Sequence, residues 1–312
     1  MTNILPNSST EHLQKEIFAR EFLKIAKQDL VAAKVLYRNE LYPQALFFLQ
    51  QSIEKGYKAY HLLSEQGIDN GKISRKNMSI WDIGHVPTKI TEKQASDAAE
   101  RFLKIKNQID SFPNPEEIYA NIGIDFSEMI QQFSTLKNTF AEISSSQRTT
   151  KKLRRCVLNN IINEMYVSIK KSDRITREFR NITFDDLTKD KMKKKSLDLI
   201  LPIIKNSPEH AKKYTDMIND LFGENFQQIE PYIRISMQNR FESGCVNVIY
   251  SNLSIITQAH ESSTRYPGFS CSPLKEYTRR HPIIQRFNTL TRFAETAHNK
   301  FDWILSSMEN LQ

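Results

Sequence analysis

Residues 42–63 read YPQALFFLQQSIEKGYKAYHLL. Ala45, Leu49, Ile53, Gly56, Tyr60 and Leu63 recur at spacings of three and four, which is one apolar stripe of a helix. Gln51, Glu54, Lys55 and Lys58 lie away from that stripe, and Glu54 with Lys58 is an i,i+4 pair that contributes about 0.3 kcal/mol. Pro43 suits the first helical turn, where its missing N–H leaves no bond unmade. A glycine inside a helix costs up to about 1 kcal/mol relative to alanine, so Gly56 within the stripe predicts a close crossing by another helix.

Working outward, the segment from about Glu16 to Tyr37 repeats Phe22, Ala26, Leu30, Ala33 and Tyr37 at helical spacing, and RNELYP separates it from the quoted stretch. Further helical patterns run over roughly 93–110, 126–146, 152–171, 208–222 and 245–263, with no hairpin signal between them. The most regular runs from His281 to Met308, where Ile283, Phe287, Leu290, Ala294, Ala297, Phe301, Ile304 and Met308 alternate spacings of four and three. Such a seam suits left-handed helix packing. Glycine is only 8 of 312 residues, about a third of its usual share of ~7%, in keeping with a chain that makes few left-handed turns. These features predict an all-α protein.

The chain carries a net charge of +8. Between Arg148 and Lys195 fifteen basic residues face six acidic ones, so the positive charge is concentrated in the middle of the sequence. Three cysteines, Cys156, Cys245 and Cys271, stand far apart without a Cys-x-x-Cys pair, which excludes a thiolate zinc motif and a disulfide framework and points to a reducing cytoplasmic compartment. The N-terminal residues have no basic start followed by an apolar run, and no window approaches the roughly 18 apolar residues that cross a bilayer. No P-loop, dinucleotide fingerprint, His-Glu-x-x-His helix or calcium loop is present, so no cofactor or metal is expected.

Residues 26–63 resemble the first two helices of the HEPN family (higher eukaryotes and prokaryotes nucleotide-binding). The resemblance rests on Asp29-Leu30 in the first helix and, in the second, on Ala45 with Phe47, Gln50-Gln51, Glu54-Lys55 and Lys58-Ala59. GHVPTKI, with Gly84, His85, Lys89 and Ile90, looks like the start of that family's third helix, and STRYPG, with Arg265, Tyr266 and Pro267, like the end of its fourth. The helix over 281–308 would be the fifth. The resemblance implies an antiparallel helical bundle assembled from two blocks, residues 1–91 and 245–312, around a basic helical insertion at 92–244. It also implies pairing with a second copy, and a role as a metal-independent ribonuclease, as the partner of an antitoxin or nucleotidyltransferase, or as a nucleotide- or RNA-binding module in a prokaryotic toxin–antitoxin or defence system. A non-catalytic interaction partner of another protein is the third reading.

Catalytic members carry an Arg followed after a few residues by a His, and only Arg292 and His298 meet that spacing here. A histidine near its ordinary pKa moves a proton to or from a 2′-hydroxyl, and an arginine stabilises charge on phosphate. The residue after Arg292 is Phe293, where active members carry a polar group. On one continuous helix, six residues turn through about 600°, so the two side chains point about 120° apart and sit about 9 Å apart along the axis. That spacing describes a solvated arginine and a core-flanking histidine as readily as a site. Candidate phosphate contacts are Lys55, His85 and Lys89 around one cleft, and Arg154, Arg155, Lys193, Lys194 and Lys195 in the basic middle, since clustered positive charge attracts phosphate irrespective of base sequence. His85 serves equally to cap the third helix, and the lysine runs serve equally as solvated loops.

Overall fold

The computed structural model describes residues 8–64, 88–111, 115–122, 125–146, 155–181, 189–194, 196–197, 208–223, 225–258, 260, 264 and 272–309. Among these residues the regular structure is helical and no strand occurs. The helices are α1 (Ser8–Arg38), α2 (Tyr42–Ser64), α3 (Thr88–Asp110), α4 (Pro115–Ile122), α5 (Phe126–Ser146), α6 (Arg155–Asn181), α7 (Pro208–Phe222), α8 (Phe226–Gln258), α9 (Pro273–Glu276), α10 (Pro282–Gln285) and α11 (Phe287–Glu309).

Two compact units divide the chain. The first comprises Met1–Glu92, Thr139–Arg174 and Asn239–Gln312, and the second Lys93–Asn138 and Ile175–Gln238. Residues 139–174, which the sequence reading places in an insertion, therefore group with the first unit, because Leu158, Ile162 and Met165 of α6 join its apolar core. That unit also takes most of the positive charge. Residues 139–174 alone hold eight basic and three acidic side chains, whereas the second unit is close to neutral.

The first unit is a bundle of α1, α2, α6, the second half of α8, and α11 around one core. Ala19, Leu23, Leu30 and Ala33 of α1 and Leu46, Leu49, Ile53 and Tyr57 of α2 meet Ile249, Tyr250 and Leu253 of α8 and Phe287, Leu290, Ala294, Ala297 and Phe301 of α11. The turn between α1 and α2 is closed by the Leu41 N–H donating to the Leu36 carbonyl (3.0 Å), with Glu40 in the left-handed conformation at φ 60°.

Ion pairs order the helices around α11. Lys34 and Lys27, seven residues apart on α1, donate to Glu295 (2.9 Å) and Asp302 (2.8 Å), seven apart on α11, so the two helices run antiparallel. On another side, Asn159, Tyr166 and Asp173 of α6, again at intervals of seven, accept from Arg286, Arg292 and Lys300, so α6 runs parallel to α11. Acids of α11 thus face one neighbour and bases the other. Burial pulls the Lys300 ammonium down, but the carboxylates of Asp173 and Glu242, both at 2.7 Å, outweigh it and hold it above its ordinary value.

Two expectations are corrected in detail. The last helix is not continuous from His281: α10 ends at Gln285, Arg286 is a turn, and α11 begins at Phe287. The His281 ring caps α10 by accepting from the Ile283 N–H (3.3 Å). Second, α8 begins at Phe226 instead of 245 and carries Pro231 inside it. Pro231 has no N–H to donate to the Gln227 carbonyl, so one bond of the ladder is missing near the start of this 33-residue helix.

In the second unit, Ile109, Ile118 and Phe126 form a small core with Phe102 and Tyr119, and Phe102 stacks on Phe133 (centroids 5.6 Å). Lys189 lies over the Phe226 ring at 5.3 Å.

Candidate functional site

The polar letters of α2 are not a solvated face. Gln50 is 1% exposed and Glu54 3%, and Ser52 and His61 are also buried, so α2 is enclosed on nearly all sides. A buried carboxylate is tolerated only when its oxygens are matched. Glu54 meets that condition: Gln50 Nε2 donates to one oxygen (3.1 Å) and Lys58 Nζ to the other (2.8 Å), while Gln51 Nε2 donates to Gln50 Oε1 (2.8 Å). Lys55 pairs across to Asp29 of α1, a carboxylate only 14% exposed. The Gln-Gln-x-x-Glu-Lys order is therefore a hydrogen-bond network that holds α2 in a crowded interior and ties it to α1.

A second network joins α2 to α11. His298 is 1% exposed. Its Nε2 lies 2.8 Å from Ser52 Oγ and its Nδ1 2.6 Å from Tyr250 Oη. Ser52 donates its own proton to the Ala26 carbonyl (2.7 Å). The serine oxygen must then accept from Nε2–H, which leaves Nδ1 to accept the Tyr250 proton. This assigns one neutral tautomer, with every proton placed. Burial, followed by the nearby Lys27 and Lys34 charges, pushes the imidazole down to about 3. Burial likewise pushes the Tyr250 hydroxyl well up.

Space for this network comes from Gly56. A Cβ on that residue would stand 2.6 Å from Tyr250 Oη and 2.7 Å from His298 Cε1. The close crossing expected from Gly56 is thus present, and a tyrosine and a histidine fill it.

Serine, histidine and tyrosine in hydrogen-bonded sequence have the outline of a nucleophile, a base and an orienting group. The proton direction opposes that use, because Ser52 is a donor to Ala26 and not to the imidazole, and all three groups are closed to solvent. The thiol of Cys245 is also buried, and burial pushes its pKa up.

The structure does not bring Arg292 and His298 together within the chain. Both lie on the single helix α11, but Arg292 is on the outside, donating to Tyr166 Oη with its guanidinium 5.8 Å from that ring's centroid. Tyr166 in turn packs edge-on to Phe293 (4.7 Å), which explains an apolar residue beside the arginine. Among the phosphate candidates, Lys55 is engaged with Asp29, and Lys193 and Lys194 stand on a short helical segment at 189–194. Lys89 and Arg155 fall in the first turns of α3 and α6; His85, Arg154 and Lys195 lie outside the described residues. Lys170, Lys171 and Arg174, which are among the basic residues counted between Arg148 and Lys195, are exposed and share the outer face of α6. Among the described residues no helix is long and apolar enough to cross a membrane, and no cluster of three His, Cys, Asp or Glu side chains is placed to hold a metal.

Sequence reasoning missed Ser52 and Tyr250. The available signal was Ser52 with Gly56, two small residues four apart on one face, which mark a notch for a neighbouring side chain. No curated protein and no solved structure matches the chain. Helix α1 from Ala19 onward, the turn at Glu40 and the whole of α2, with its buried Gln50, Glu54 and paired Lys55, fall within the segment, residues 19–76, that matches the family model of the HEPN domain.

Proposed function

We propose that the protein is a HEPN-type helical module that self-associates and binds RNA or a nucleotide through its phosphates, in the cytoplasm and in a prokaryotic toxin–antitoxin or defence setting. One observation carries this reading: the excess positive charge, eight basic against three acidic side chains over residues 139–174, belongs to the same compact unit as the segment that matches the HEPN domain. Contacts of lysine and arginine to phosphate release counterions and do not read bases, so binding should weaken steeply with salt and vary little with sequence. Lys170, Lys171 and Arg174 on α6, together with Arg154 and Arg155 of the same unit, are the contributors on this reading.

The buried, neutral His298 and the outward Arg292 favour binding over cleavage. The test is fluorescence anisotropy with single-stranded RNA and with mononucleotides across a salt series. Replacing Lys170, Lys171 and Arg174 by alanine should flatten the log–log salt slope by roughly 2, at about 0.7 per lost contact on a single strand. Absence of binding to either ligand at low salt refutes the proposal. RNA cleavage in EDTA that both Arg292→Ala and His298→Ala abolish would replace it with a metal-independent endoribonuclease.

A further inference from the structure

Helix α1 has two apolar faces. One, with Ala19, Leu23, Ala26, Leu30 and Ala33, lies in the core. The other is outside: Ile17 is 53% exposed, Phe18 58%, Ile25 41%, Val31 60% and Val35 48%, with Leu41 in the following turn at 43%. Large apolar patches on a folded surface mark places where something docks. Six such side chains, each about half exposed, leave on the order of 550 Å² per chain. Two copies would cover roughly 1,100 Å², which reaches the ~1,000 Å² expected of a specific interface.

We infer that this face is where a second copy of the chain sits, α1 against α1, antiparallel about a twofold axis near Gln28. This rests on the self-association proposed above and specifies its surface. A twofold contact needs a self-complementary patch. Counting outward from Gln28, Ile25 meets Val31 of the second copy, Lys24 its Ala32, Glu21 its Val35, and Phe18 its Arg38. Phe18 and Glu21 are one turn apart, as are Val35 and Arg38, so each Arg38 guanidinium reaches both the Phe18 ring and the Glu21 carboxylate of the other copy. Both charged side chains are exposed. A parallel pair would instead align Glu21 with Glu21 and Arg38 with Arg38, like charges facing.

Sedimentation equilibrium of the full chain provides the test. The wild type should be a dimer at micromolar concentration. Ile25→Glu with Val31→Glu should yield a monomer of unchanged helicity and melting, because both positions face solvent in the folded chain. Glu21→Arg should weaken dimerisation at least tenfold, and adding Arg38→Glu to it should restore at least half of the loss. A monomeric wild type overturns both this inference and the self-association it rests on. A dimer indifferent to the Ile25 and Val31 changes overturns the surface alone. Dissociation by those changes, without rescue by the exchanged charges, overturns the antiparallel register.

Discussion

Gly56→Ala tests the packing of the first unit directly. In an ordinary helix this change stabilises by up to about 1 kcal/mol, because alanine has the higher helix propensity. Here the added methyl carbon would sit 2.6 Å from Tyr250 Oη, 2.9 Å from its Cζ and 2.7 Å from His298 Cε1, all inside contact distance. Neither ring has room to retreat. Tyr250 is fully buried, 5.6 Å from the Tyr57 ring and 6.4 Å from Tyr60, and His298 is bonded at both nitrogens. Overpacking of this kind costs about 1–3 kcal/mol. Displacing His298 from Ser52 or Tyr250 leaves a buried polar atom unmatched, at a further 1–3 kcal/mol or so. After the propensity gain, a net loss of about 1–5 kcal/mol is expected. Urea denaturation followed by the fluorescence of Trp303, which packs against this core on α11, in a Trp81→Phe background reads it as a lower midpoint with unchanged slope. Pairing Gly56→Ala with Tyr250→Phe, which removes the nearest clashing atom, should cost less than the two single losses added together. A neutral or stabilising Gly56→Ala would show that α2, α8 and α11 do not approach as described.

Further expectations follow from the same bundle. His298 titrates near 6.5 in the unfolded chain but only at about 3 when folded, so the unfolded state takes up the proton first as pH falls. Its contribution is fully present above pH 6.5 and is lost toward pH 3, at up to about 1.4 kcal/mol per pH unit; the difference in the acid limb between wild type and His298→Gln measures it. Phe287→Ala, which empties a fully buried position stacked on Tyr37 at 4.4 Å, should cost about 3–5 kcal/mol in the same urea assay. Glu40→Gly should raise stability by about 0.5–1 kcal/mol, since glycine accepts a φ of 60° without the strain of a side chain; a loss would mean that the turn is held by the glutamate itself.

The final helix was legible because its core residues keep strict order: Phe287, Leu290, Ala294, Ala297, Phe301 and Ile304 are all buried. The apolar stripe of α2 was legible for the same reason. Periodicity failed at Gln50, Ser52, Glu54 and His61, which are polar yet buried. A period reports which side of a helix is apolar; it does not report whether a polar side chain has found a partner on a helix more than 200 residues away, as Ser52 finds His298. The positive charge was visible in the sequence, but its division between units depends on α6 packing beside α11, which a count along the chain does not contain.

The dependence of the N-terminal hairpin on α11 also has a meaning in time. During synthesis α1 and α2 leave the ribosome more than 200 residues before α11 exists. At 5–20 residues per second that gap lasts on the order of 10–50 s. Until α11 is made, Lys27 and Lys34 lack their partners Asp302 and Glu295, and the notch at Ser52 and Gly56 lacks His298. Completion of this core therefore waits for α11, the keystone whose arrival supplies His298 to Ser52 and the carboxylates to Lys27 and Lys34.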